Sequence, residues 1–170
     1  MKARNARLAL PLSVTLLVFS TTALGQPAAH HSLTATERQS HFQVSGRHLA
    51  IEGYDPVTYF PEGGSEPQKG KDSITIEHRG IVYRFVSNEN KETFQADPAR
   101  YEPAYGGWCA YAMGTSGEKV DINPKAYEIH DGRLFLFYKD LFTNTVKPWQ
   151  KGRSTLQPKA DQNWSAIIQG

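Results

Sequence analysis

The chain has a single cysteine, placed where a thiol can act. Cys109 lies in Tyr105–Met113 (YGGWCAYAM), directly behind a Gly-Gly pair and between aromatic residues. Three uses fit such a thiol: soft-metal ligand, redox nucleophile, or small core residue. Met113 follows four residues on, above Cys109 on one face if the segment is helical. A thiolate and a thioether on one face suit Cu(I), a soft ion. His78 and His130 are the ring nitrogens that can complete a copper or other soft-metal site with Cys109 and Met113. Without a metal, the Cys109 thiol can cycle through sulfenic acid or a mixed disulfide. No second cysteine exists to resolve it, so an external thiol or a partner protein must. A third reading makes Tyr105, Trp108 and Tyr111 the anchors of a surface that contacts another envelope protein.

These residues need elements to hold them. Trp108–Met113 reads as a short helix with Cys109 in its first turn, where amide donors and the positive dipole end stabilise a thiolate. Gly106 and Gly107 admit close backbone approach or positive φ. Ser73–Ser87 reads as a hairpin turning at Arg79-Gly80, which pairs His78 with Ile81, Ile76 with Tyr83 and Ile74 with Phe85. Tyr127–Tyr138 reads as a second hairpin turning at Asp131-Gly132. It pairs Ile129 with Leu134 and Tyr127 with Leu136, leaving His130 beside Arg133 and Glu128 beside Phe135 on the other face. Val57–Phe60 reads as a short strand after a Gly-Tyr-Asp-Pro turn. Ser87 is placed to cap a helix over Asn88–Ala96, ended by Asp97-Pro98. Lys139–Lys147 reads as a short helix broken at Pro148. Leu156, Ala160, Trp164, Ile167 and Ile168 recur at helical spacing behind Thr155 as cap, which predicts an amphipathic C-terminal helix. The expected class is α+β: short hairpins packed with short helices. There is no internal repeat, phosphate-binding Gly loop, metalloprotease histidine pair or nucleophile elbow.

The N-terminal segment reads as a targeting signal. Lys2, Arg4 and Arg7 precede an apolar run of 12 residues, Leu8–Phe19, too short to span a bilayer. Ala23-Leu24-Gly25 fits the cleavage rule, so the mature protein is expected to start at Gln26, periplasmic or secreted, with no stable membrane anchor after cleavage. The expected organisation is a signal peptide over 1–25, a flexible linker over 26–45 and one folded domain over 46–170. His30 and His31 fall in the linker. Removing residues 1–25 leaves 16 basic against 17 acidic residues, a net charge of −1. The basic balance of the whole chain therefore comes from the signal, and nucleic acid is not an expected partner. The expected partners are a metal ion or a periplasmic protein.

Four pieces carry a family resemblance: GYDPVTYF, YRFVSNENKETFQADPARYEPAYGGWCAYA, YEIHDGRLFLFY and ADQNW. In this order, from Leu49 to Trp164, they resemble the exported YHS domain-containing proteins, a branch that includes selenoproteins. The resemblance implies a small α+β module of the kind attached to metal transporters and metalloenzymes. The thiolates usual in YHS domains would fall at Thr58, Val86 and Asn90, and none of these is a thiolate. What the resemblance leaves is Cys109, the position it implies for selenium in relatives, and hence redox chemistry or soft-metal ligation there.

Overall fold

A computed structural model describes residues 33–170; the expected signal peptide (1–25) and residues 26–32, with His30 and His31, lie outside the described residues. The class is α+β. Helix α1 (Ala35–His41) is followed by two short strands, β1 (Val44–Ser45) and β2 (Leu49–Ala50). The first hairpin is β3 (Lys71–His78) and β4 (Ile81–Phe85). Helices α2 (Asn88–Ala96), α3 (Pro98–Tyr101) and α4 (Ala110–Thr115) lead to the second hairpin, β5 (Asn123–His130) and β6 (Arg133–Phe137). Helix α5 (Val146–Gln169) ends the chain. One sheet has the order β1-β2-β4-β3, with β2 parallel to β4 and the other neighbours antiparallel; β5 and β6 form a separate pair.

Both hairpin tips fall where the turn residues put them. Arg79 and Gly80 take φ of 50° and 84°, and Asp131 and Gly132 take 49° and 72°, the doubly left-handed backbone of a tight two-residue hairpin. His78 pairs with Ile81 and Ile76 with Tyr83 as expected, but Ile74 does not meet Phe85. A bulge between Lys71 and Thr75 puts Lys71 opposite Phe85 and Thr75 opposite Arg84, and the expected pairing fails there. The second hairpin keeps its expected register through Tyr127–Leu136.

Three expected elements differ. Pro56–Tyr59 is a 3₁₀ turn rather than a strand, because Asp55 accepts the Val57 amide at 2.9 Å and proline occupies the first turn position. The helix expected over Lys139–Lys147 is a loop closed by a Lys139–Asn144 bridge, and α5 starts at Val146 instead of behind Thr155. Pro148 falls in the first turn, where amides lack intrahelical partners, so it does not break the helix. Pro158 lies in the interior, at a cost of about 3 kcal/mol in a free helix. Fully buried Trp149, Ala160 and Trp164 along one face offset that cost.

The expected linker over 26–45 is corrected as far as it is described. Thr34 and Glu37 form a capping box that starts α1, and the residues around it are pinned to the body. Arg38 is fully buried, paired with Glu102 and 4.5 Å over the Phe42 ring. Gln39 donates to the Gly80 carbonyl at 2.9 Å, the Gln43 amide to Gly106 at 2.9 Å, and the Trp108 indole to His41 at 2.7 Å. Phe42 packs edge-on to Trp164 of α5. The Gly106 φ is +61°, and a Cβ there would stand 2.9 Å from Trp164, so glycine is required for this closure. Gly114 does the same for α4 on α5, where a Cβ would lie 2.7 Å from the Leu156 carbonyl oxygen.

Candidate functional site

Cys109 is the cap residue of α4, one position before its first turn. Its sulfur makes no bond to the helix's own amides. Instead it accepts the Tyr138 amide just past β6 at 3.3 Å and lies 3.6 Å from the Thr145 hydroxyl. The side chain is buried, at 1% exposure. The expected place in the first turn is corrected by one residue, and the sulfur points across to the next element, not along the helix. Met113 is also fully buried, one turn on in the same helix.

The two histidines are elsewhere. His130 pairs with Arg133 at the tip of the second hairpin, while Cys109 meets Tyr138, five residues further along, about 17 Å away along an extended strand. His130 approaches Arg153 of α5 at 3.2 Å and Asp131 at 3.4 Å. His78 is carried by the other sheet, edge-on to Phe94 of α2 with ring centroids 5.9 Å apart. Cys109 and Met113 lie one backbone turn apart; His130 is not brought to them, and His78 has a ring contact elsewhere. Among the described residues no group of three or more His, Cys, Asp or Glu side chains could hold a metal ion.

Thr58, Val86 and Asn90 do converge, around Asp55. The Asp55 carboxylate accepts the Val86 amide at 2.9 Å and the Asn90 side-chain amide at 2.8 Å, besides the Val57 amide. The Thr58 hydroxyl donates to the Asp55 carbonyl at 2.7 Å. Burial holds the Asp55 carboxyl above the usual carboxylate range, with these donors pulling the other way. The corner is closed by hydrogen bonds and offers no soft donor.

The aromatic anchors divide. Tyr105 is fully buried, its hydroxyl donating to Asp161 at 3.0 Å, whereas Trp108 and Tyr111 are half-buried. A groove of about 490 Å³ along α5, lined in part by His130, Lys151, Arg153 and Asp161, has two of its charges paired: Arg153 with Glu128, and Asp161 with Arg133.

The feature missed in the sequence is the loop that Cys109 helps to hold. Between Tyr138 and Thr145 the chain doubles back on itself. The Asp140 carboxylate accepts the Phe142 and Thr143 amides at 2.9 and 2.6 Å and the Tyr138 hydroxyl at 2.6 Å. The Asp140 amide donates to the Thr143 carbonyl at 2.9 Å, and the Thr145 hydroxyl to Tyr138 at 2.9 Å. These bonds hold Asp140 below the usual carboxylate range, the Tyr138 hydroxyl contributing most. At the tip, Leu141 and Phe142 are 94% and 95% exposed. Leaving each of these side chains in water forgoes about 1.5–3 kcal/mol of burial, so their display from a fixed loop is informative. The repeated Asp-x-x-Thr pattern was the signal available: Asp140-Leu-Phe-Thr143 matches the Asp55-Pro-Val-Thr58 turn.

Comparison with protein-family models, curated proteins and solved structures yields no match. Among the described residues, no helix is long and apolar enough to cross a membrane.

Proposed function

We propose that the domain is a non-catalytic binding module of the cell envelope, with the Tyr138–Thr145 loop as its contact element. The observation that carries this reading is the pair Leu141 and Phe142, almost wholly exposed on a loop fixed by its own hydrogen bonds. A fixed loop loses little conformational freedom when it docks, so its apolar tip can contribute to affinity in full. Cys109 has a supporting role here, as the buried acceptor beneath the loop. The half-buried rings of Trp108 and Tyr111 fit a flanking part in the same contact; Tyr105 belongs to the core. Binding of the purified protein to cell-envelope fractions tests this. Replacing Leu141 and Phe142 together with serine should abolish binding and leave the circular dichroism spectrum unchanged; undiminished binding would overturn the reading.

A second reading keeps Cys109 and Met113 as a soft-metal pair, with copper first. Its support is that Cys109, the cap of α4, and Met113, one turn on, are both buried away from water. A Cu(I) ion would have to take the Cys109 sulfur from the Tyr138 amide, which couples the metal to the loop. Cu(I) titration of the parent and of Cys109→Ser tests it: protection of the thiol from alkylation at one equivalent supports the pair, and equal binding by the variant sinks it. Nucleophilic redox chemistry has the least support, because a thiol 1% exposed meets peroxide or a disulfide only after local opening.

A further inference from the structure

We infer that the partner of the Tyr138–Thr145 loop is an anionic lipid surface, into which Leu141 and Phe142 insert. The inference rests on the binding-module reading and names its partner. Three observations carry it. The first is the shape of the contact element, which is convex: two adjacent bulky side chains stand 94% and 95% exposed at a loop tip. A bilayer interface accepts such a wedge without a matching pocket. The second is charge. Exposed Lys139 lies at the base of the loop and exposed Lys147 just past its end, Lys151 lies one turn on from Lys147 along α5, and Lys125 leaves the adjoining start of β5. Against these four stand two acids at the same end, Asp121 and Asp140, and three hydrogen-bond donors already occupy Asp140. The chain from Lys139 to Lys159 holds five basic residues and one acid. Lysines next to an apolar tip match anionic headgroups around an acyl interior. The third is pre-organisation. The Asp140 carboxylate satisfies the Phe142 and Thr143 amides within the loop, so two amides of the tip approach an apolar region already paired. A protein groove would also accept the two side chains, but it would not call for lysines beside them.

The test places a reporter at the tip. Phe142→Trp in the full chain is mixed with vesicles of phosphatidylglycerol and phosphatidylethanolamine, and its fluorescence is compared with that of the parent, which has three tryptophans of its own. The added tryptophan should shift to the blue and be quenched by brominated acyl chains. Partition should fall at least tenfold with phosphatidylcholine vesicles, and the tip signal at least tenfold when Leu141→Ser is added to Phe142→Trp. Quenching at the tip is local, so the N-terminal apolar run cannot imitate it. A tip tryptophan indifferent to vesicles overturns the lipid inference. If a photo-crosslinker at position 142 then captures one envelope protein in a Leu141-dependent way, the binding-module reading stands without it. If neither occurs, both fall.

Discussion

Two tetrapeptides of one pattern, Asp55–Thr58 (DPVT) and Asp140–Thr143 (DLFT), use the same local bond and end in opposite environments. In each, an aspartate oxygen accepts the amide two residues on, at 2.9 Å. The two central residues are buried in the first, Pro56 and Val57, and exposed in the second, Leu141 and Phe142. The difference arises from the second carboxylate oxygen. In Asp55 it reaches across to Val86 and Asn90 and draws β4 and α2 over the turn. In Asp140 it meets only Tyr138, two residues back, and nothing is drawn over. The same turn chemistry therefore makes a core corner in one place and a displayed tip in the other. Burial raises the Asp55 carboxyl, while hydrogen bonds in water lower that of Asp140.

The largest effect should come from breaking the closed corner. Asp55→Ala strands the Val57 and Val86 amides and the Asn90 side chain, and should cost about 3 kcal/mol in chemical denaturation. Asp55→Asn sharpens the same comparison through pH. Because the folded-state carboxyl is raised, the native state holds its proton longer than the unfolded chain does, and stability drains away as pH rises through that window. The parent should thus lose stability relative to Asp55→Asn on going from acid toward neutral pH; a difference independent of pH would contradict the buried-carboxylate account. The carboxyl of Asp140 has the reverse sign: its contribution is present above the unfolded pKa and is lost as pH falls through the lowered folded value. Amide protection factors at Phe142 and Thr143, measured against the intrinsic rate at each pH, should therefore fall in acid while that of Val57 is kept.

Smaller effects belong to the tip and its base. Cys109→Ala removes the acceptor for the Tyr138 amide and should cost about 1–2 kcal/mol, with faster exchange at Tyr138 and no change at Val86. Smallest of all, replacing Leu141 and Phe142 with serine should shift global stability by less than about 0.5 kcal/mol, since both side chains are already in water. A large loss on thermal melting would mean that they pack in solution.

How much of this was legible in the sequence depends on the range of the interactions involved. Arg79-Gly80 and Asp131-Gly132 were readable because a two-residue turn needs positive φ and its residues declare it. Ser87 was readable as a cap for the same local reason, accepting the Asn90 amide at 3.2 Å. Val57–Phe60 was misread because β-branched and aromatic residues suggest a strand, whereas the Asp55 bond and Pro56 decide the turn. The start of α5 was misread because Pro148 counts as a breaker only when its position in the helix is known. At the candidate site, Cys109 and Met113 stood out by type and spacing, but the sulfur's partner, Tyr138, is 29 residues away. Leu141 and Phe142 lay inside the helix expected over Lys139–Lys147, whereas the structure displays them at a loop tip.

The N-terminal arm has a consequence for how the chain is made. Residues 38–43 emerge from the ribosome early, yet their partners follow far behind: Gly80 by 41 residues, Glu102 by 64 and the Trp108 indole by 67. The ring that meets Phe42 belongs to Trp164 of α5, later still. The arm docks in full only after α5 has been made, because Trp164 completes the surface that receives it. A chain halted before Trp164 leaves Arg38 and Phe42 on an arm with an incomplete seat. Such a product is open to proteases, whereas in the finished domain Phe42 is held against α5 and Arg38 against Glu102.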